Sequence, residues 1–214
     1  MKSIVDFVPL FEQYDNETLI IVDVQKPFAK WWEKVGNTTL PQDINRYCQN
    51  FHQVYQIWDD HDEKHPSWKF SNEVVTLRKH YGVDQPDGEI IDYSAYFEGD
   101  ELKKVMDVVK SGVLEPALFK RKDGNYAVLV CGSHKWFLPT KELVDNLLLI
   151  NDDIILVGGA EGECLKDIEV LLKLLGKTYN VNYEYTYAAN ETKKNTVKEG
   201  QQSQQPQSPD TQQQ

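Results

Sequence analysis

A thiol becomes a nucleophile where its surroundings favour the thiolate, and Cys164 stands at such a place. It follows the apolar run Asp153–Val157 and the glycine-rich turn Gly158–Gly159–Ala160–Glu161–Gly162. After it come Leu165, Ile168, Leu171, Leu172 and Leu175, whose spacing is that of a helix ending at Gly176. The first turn of a helix carries a partial positive charge that stabilises thiolate. The glycines let backbone N–H groups approach a ligand and form an oxyanion hole, worth roughly 3–4 kcal/mol where single donors have been removed from enzymes. The bland alternative is a small core residue, because free cysteine is among the most buried types. Cys48, on an apolar helix face, and Cys131, after a hairpin strand, take that bland reading.

A thiol nucleophile needs a base, and no histidine adjoins Cys164. Asp23, closing the apolar run Leu19–Val22, is the candidate. A carboxylate held against a thiol accepts its proton more readily when burial disfavours the charged form. The competing duty for an aspartate after a strand is helix capping. A lysine would hold the negative charge of such a pair. Lys120, closing the run Ala117–Phe119, is the candidate, against a solvated hairpin charge as the alternative. Asp59-x-His61, with His65 and His80 downstream, offers the oxygen and nitrogen donors that zinc, iron or manganese accept. Asp–His clusters also occur in ordinary polar loops.

These residues need a scaffold. Leu19–Val22, Val54–Trp58, Ala117–Phe119, Asp153–Val157 and Val181–Tyr187 read as strands. Pro41–Phe51, Glu101–Lys110, Thr140–Leu149 and Glu163–Leu175 read as helices, and FKRKDGNYAVLVCG as a hairpin turning at Asp123–Gly124. Strands alternating with helices imply an α/β fold, a three-layer sandwich with a mostly parallel central sheet and helices on both faces. In such a sheet, sites form outside the carboxyl ends of the strands, where Asp23, Asp59–His61 and the turn before Cys164 all fall. Residues 1–190 are expected to form this domain. Residues 191–214, rich in Gln, Ser, Pro and Thr, cannot bury enough apolar surface and are expected to be a disordered tail.

Composition narrows the function classes. A chain of 214 residues suffices for one sizeable core. A net charge of −11 argues against a nucleic-acid surface, which needs a basic stripe. No apolar run reaches the roughly 18 residues of a membrane span, and the opening MKSIVDFVPL lacks a signal peptide's apolar stretch and cleavage site. Three widely spaced cysteines fit a reducing cytosol, so a cytoplasmic location is expected. The expected partner is a small-molecule substrate, with self-association into a homo-oligomer left open. VGGAEGE breaks the dinucleotide-loop spacing and is a weak match to it.

LIIVDVQKPF (Leu19–Phe28) and ILVGGAEGECL (Ile155–Leu165) resemble the first strand and the nucleophile turn of the isochorismatase-like cysteine hydrolases, which include nicotinamidases. The resemblance spans most of residues 17–190 but is specific only in those two stretches. It implies a triad of Asp23, a lysine and Cys164, a cis peptide at Gly159–Ala160, and an oxyanion hole from the N–H groups of Ala160 and Cys164. The lysine best matches Lys120, with Lys122 near it. WDDHDEKH (Trp58–His65) is similar to the nicotinamidase Asp-x-His metal loop. With His80, this implies Asp59, His61 and His80 as ligands of one divalent ion (zinc, iron or manganese), with no organic cofactor. Phe28, Trp31 and Trp32 would supply a pocket wall. Three departures bear on the substrate. Glu161–Gly162 replaces Thr-Asp in the turn, Tyr126–Leu129 replaces a Tyr-Ser-x-Phe segment after the lysine, and Leu77 stands where nicotinamidases place an aromatic residue. The expected activity is cleavage of a small-molecule amide C–N bond through an acyl-enzyme. The alternatives are a metal-free isochorismatase-type or carbamoyl hydrolase, and a noncatalytic relative acting as a binding protein.

Overall fold

A computed structural model of the chain describes residues 14–59, 68, 70, 75–81, 92–112, 115–130 and 135–189. The tail and His61 lie outside them. The strands are β1 (Tyr14–Val22), β2 (Phe51–Asp59), β3 (Val75–Tyr81), β4 (Ala117–Lys120), β5 (Tyr126–Val130), β6 (Lys135–Pro139), β7 (Asp153–Glu161) and β8 (Tyr179–Ala188). The helices are α1 (Ala29–Lys34), α2 (Leu40–Tyr47), α3 (Gly99–Ser111), α4 (Lys141–Leu149) and α5 (Cys164–Leu174). The strands form one sheet in the order β4-β5-β6-β3-β2-β1-β7-β8. Pairing is parallel from β3 through β2, β1 and β7 to β8, and antiparallel from β3 through β6 and β5 to β4. No helix of the described residues is long and apolar enough to cross a membrane.

Alternate residues of β1 serve opposite faces, because strand side chains have a period of two. Ile20 and Val22 join Ile57, Leu156, Leu143 and Leu147 of α4, and Leu165, Ile168 and Leu171 of α5. Leu19 and Ile21 join Val54, Val157, Trp32 of α1, and Leu40 and Ile44 of α2. Helices therefore cover both faces of the parallel block, which explains why β1 is apolar at consecutive positions. A third cluster, of Phe97, Val105, Phe119 and Ala127, binds α3 to the β4–β5 hairpin.

Two strands are absent from the sequence reading. VTLRKHY has two aliphatic residues among three basic ones, so no apolar run marks β3, and its pairing with β2 and β6 makes it a strand. β6 likewise depends on partners on both sides. The expected helix from Pro41 to Phe51 stops at Tyr47, passes through a 3-10 turn at Cys48–Asn50, and yields Phe51 to β2. β7 continues past Val157 to Glu161, so the glycine-rich segment belongs to the sheet.

Candidate active site

The carboxyl ends of β1 and β7 lie side by side, with Val22 paired to Gly158. This pairing is close. A Cβ on Gly158 would sit 2.1 Å from the carbonyl oxygen of Val22, and Gly158 has a φ of +95°. Only glycine fits, for both steric and conformational reasons. Asp23 follows Val22, and Ala160 and Cys164 follow Gly158, so one close contact brings all three to the same rim.

Asp23 is fully buried and left-handed, with φ 47°, the one non-glycine among the described residues with a positive φ. Its N–H donates to Ile57 O at 3.0 Å, while its carbonyl accepts from Gln25 N–H at 2.9 Å and from the Tyr187 hydroxyl at 2.7 Å. The 3-10 turn that follows is capped at Gln25 without a side-chain bond.

Beyond β7 the chain makes a tight turn in which Glu163 N–H donates to Ala160 O at 3.0 Å. The Gly159–Ala160 peptide is cis. Cys164 is the first residue of α5 and is partly exposed. Helix-terminal N–H groups lack intrahelical acceptors, so the rim beside the thiol is a place where negative charge is favoured. Glu161 is buried, and its carboxylate accepts a hydrogen bond from the Thr186 hydroxyl of β8. The residue that departs from the Thr-Asp pattern thus ties the turn to β8.

The remaining candidates fall in three places. Asp59 ends β2 and pairs with Lys79 of β3; His80 is the next residue, so Asp59 and His80 lie at neighbouring strand ends. Among the described residues no three metal-ligating side chains come together, and His61 lies outside them. Lys120 ends β4, with four strands between it and β1. Its side chain is exposed, and its N–H donates to Glu101 at 3.3 Å. Leu118 and Tyr126 of the same hairpin pack on the cluster that also receives Cys164. Lys122 donates to Ser94 O at 3.3 Å, from its Nζ, and its N–H to Tyr96 O at 3.0 Å. Phe28 stacks on Trp31 with ring centroids 4.9 Å apart, and both pack with Trp68 and Phe70 on the cluster containing Trp32 and Ala160. The three cysteines separate as expected in one respect: Cys48 is buried, and burial pushes its thiol up to about 12. Cys131 lies outside the described residues.

Sequence reasoning did not weigh Lys79 as a candidate. It lies near the carboxyl end of a parallel strand, with β2 alone between that strand and β1. The signal that finds it is the strand-end rule that selected Asp23, once β3 is recognised. Tyr93–Ser94–Ala95 follows it as a 3-10 turn in which the Asp92 carboxylate accepts from Ser94 N–H at 3.0 Å. Tyr93–Ser94 thus comes after Lys79 and before Lys120 in the chain. Trp68 also comes close: its backbone N–H donates to the carbonyl of Val24, the residue after Asp23, at 3.2 Å.

Comparison with protein-family models, with curated proteins and with solved structures found no match.

Proposed function

We propose that this chain is a cysteine hydrolase of the isochorismatase-like, three-layer type, cleaving an amide C–N bond in a small molecule. The observation that carries the reading is the pairing of Val22 with Gly158 on adjacent parallel strands, with Asp23 directly after the first and Cys164 opening the helix after the second. A buried carboxylate and a thiol at a helix start are the groups that an acid–base and nucleophile pair needs.

In this reading the Cys164 thiol gives its proton to the Asp23 carboxylate, and the thiolate attacks the substrate carbonyl carbon. The oxyanion so formed lies against the N–H groups of Ala160 and Cys164. Asp23 then protonates the leaving amine as the C–N bond breaks, which leaves a thioester. Water, losing its proton to Asp23, attacks the thioester; the carboxylic acid leaves and the thiol regains its proton. A lysine holds the charge of the pair. Lys79 suits that duty better than Lys120, because it shares the parallel block with Asp23 and precedes the Tyr-Ser segment. The Phe28–Trp31 pair and Trp68 supply an aromatic wall near Asp23.

The neighbouring ends of β2 and β3 carry an oxygen and a nitrogen donor residue, Asp59 and His80, a set that suits zinc, iron or manganese. With His61 they would hold one ion, which when bound would orient a substrate through a ring nitrogen or carbonyl. Metal analysis of purified protein separates the two versions of the hydrolase: less than about a tenth of an equivalent sinks the nicotinamidase version and leaves the metal-free one.

Nicotinamide, pyrazinamide, ureido acids and isochorismate, tested beside Cys164→Ala, decide the main claim. Turnover of one of them that vanishes in Cys164→Ala, with an acyl adduct on Cys164 by mass spectrometry, is the expected result. Turnover that survives in Cys164→Ala refutes it. No turnover, together with a Cys164 that iodoacetamide alkylates no faster at pH 6.5 than an unactivated thiol, favours a noncatalytic binding protein.

A further inference from the structure

We infer, resting on the hydrolase reading above, that Tyr187 is a positioning residue that locks the base and the oxyanion turn into one frame. Three observations, at the end of β1, on β7 and on α1, converge on this side chain. Its hydroxyl donates to the backbone carbonyl of Asp23 at 2.7 Å. Its ring lies against Gly159, where a Cβ would come within 2.8 Å of ring carbons Cδ1 and Cε1 and 2.6 Å of the Tyr187 carbonyl. The ring is itself held, 1% exposed, with Trp32 edge-on at 4.9 Å and Trp31 tilted at 6.3 Å.

The consequence follows from where those groups sit. Tyr187 belongs to β8 and pairs with Gly159 of β7, yet its hydroxyl reaches past β7 to the end of β1. Asp23 holds a left-handed conformation that L residues seldom adopt, and such a conformation persists only where its surroundings over-determine it. The Tyr187 hydroxyl, Gln25 N–H and Ile57 O together fix both peptide units of Asp23. Tyrosine suits the task because it has two side-chain torsions and little freedom to lose. A base tied this way cannot drift from the Ala160–Cys164 turn unless the Tyr187 ring moves as well.

The test removes the hydroxyl and keeps the ring. Iodoacetamide alkylation of Cys164, resolved by mass spectrometry, is followed from pH 5.5 to 9 in wild type, Tyr187→Phe and Tyr179→Phe. Tyr179 is the control, since it loses a hydroxyl bond on the same strand, to Glu169 at 3.1 Å, away from the turn. At pH 6.5 Tyr187→Phe is expected to react about threefold to tenfold more slowly than wild type, the loss of one buried hydrogen bond expressed as a rate. Its profile moves to higher pH, while Tyr179→Phe keeps the wild-type profile. Urea unfolding of each variant normalises the rates to the folded fraction, so a loss of stability alone does not mimic the result. A wild-type Cys164 that reacts rapidly at pH 6.5, beside a Tyr187→Phe profile identical to it, overturns this inference alone. A wild-type Cys164 no faster than glutathione overturns the hydrolase reading and this inference with it.

Discussion

Replacing Gly158 by alanine adds one methyl group at the contact on which the proposed site depends. The new Cβ would lie 2.1 Å from Val22 O, whereas real contacts of this kind do not fall below 3.0 Å, so β1 and β7 must part by at least 0.9 Å, the gap between those distances. Both partners are backbone at the last pair of a parallel ladder, and neither can rotate away. Overpacking of this kind costs roughly 1–3 kcal/mol, and more where backbone meets backbone. The left-handed φ adds about 1–2 kcal/mol for any L side chain. Gly158→Ala is therefore expected to lose about 2–5 kcal/mol or more, a large share of the 5–15 kcal/mol typical of a domain. Gly176→Ala is the matched comparison, because Gly176 also has a positive φ, +69°, yet a Cβ there meets nothing within 4 Å. It should lose only the conformational part, about 1–2 kcal/mol. Urea denaturation of the two variants measures the difference. Equal losses in Gly158→Ala and Gly176→Ala would refute the claim that backbone approach, rather than φ alone, makes residue 158 a glycine.

Further outcomes follow from the same placements. The choice of triad lysine predicts that Lys79→Ala slows Cys164 alkylation at pH 6.5 by about tenfold or more, while Lys120→Ala changes it less than about twofold; the reverse order would return the role to Lys120. Cys48 has its thiol raised from 9.0 to about 12 by burial, so the folded state keeps a proton that the unfolded chain releases. Its contribution to stability is whole below pH 9 and is lost as pH rises from about 9 towards about 12, at about 1.4 kcal/mol per pH unit. The stability difference between wild type and Cys48→Ala should shrink over that window, and a difference that stays constant with pH contradicts the assigned burial. Ile20→Ala, at a fully buried position on the central strand, should cost about 2–5 kcal/mol by thermal or urea unfolding.

Much of the fold was legible because local and tertiary preferences agree. β1 and β7 are apolar on both faces, α5 carries its apolar residues on a helical stripe, and the Asp123–Gly124 turn announces its hairpin. Where they disagree, the reading failed. β3 holds Arg78, Lys79 and His80 in seven residues, and only pairing on both sides accounts for it. Without β3 there is no strand end at Lys79, so the sequence alone does not set that residue beside Lys120 as a candidate. β8 shows the same limit in miniature. Its tyrosines alternate in the sequence, but register shifts between Leu156 and Glu161 put Val181 and Tyr187 in different clusters.

The sequence by itself determined the types and order of the groups: a thiol opening a helix, an acid closing an apolar strand, and glycines between strand and helix. These are properties of short segments, fixed by propensity and period. What the tertiary structure decided is adjacency, because segments more than 130 residues apart are joined only by the sheet. Strand order set β1 beside β7, as the Val22–Gly158 approach requires, and carried the Tyr187 hydroxyl from β8 to Asp23. Those contacts span strands that no local pattern relates, since hydrogen bonding and packing between distant segments select them.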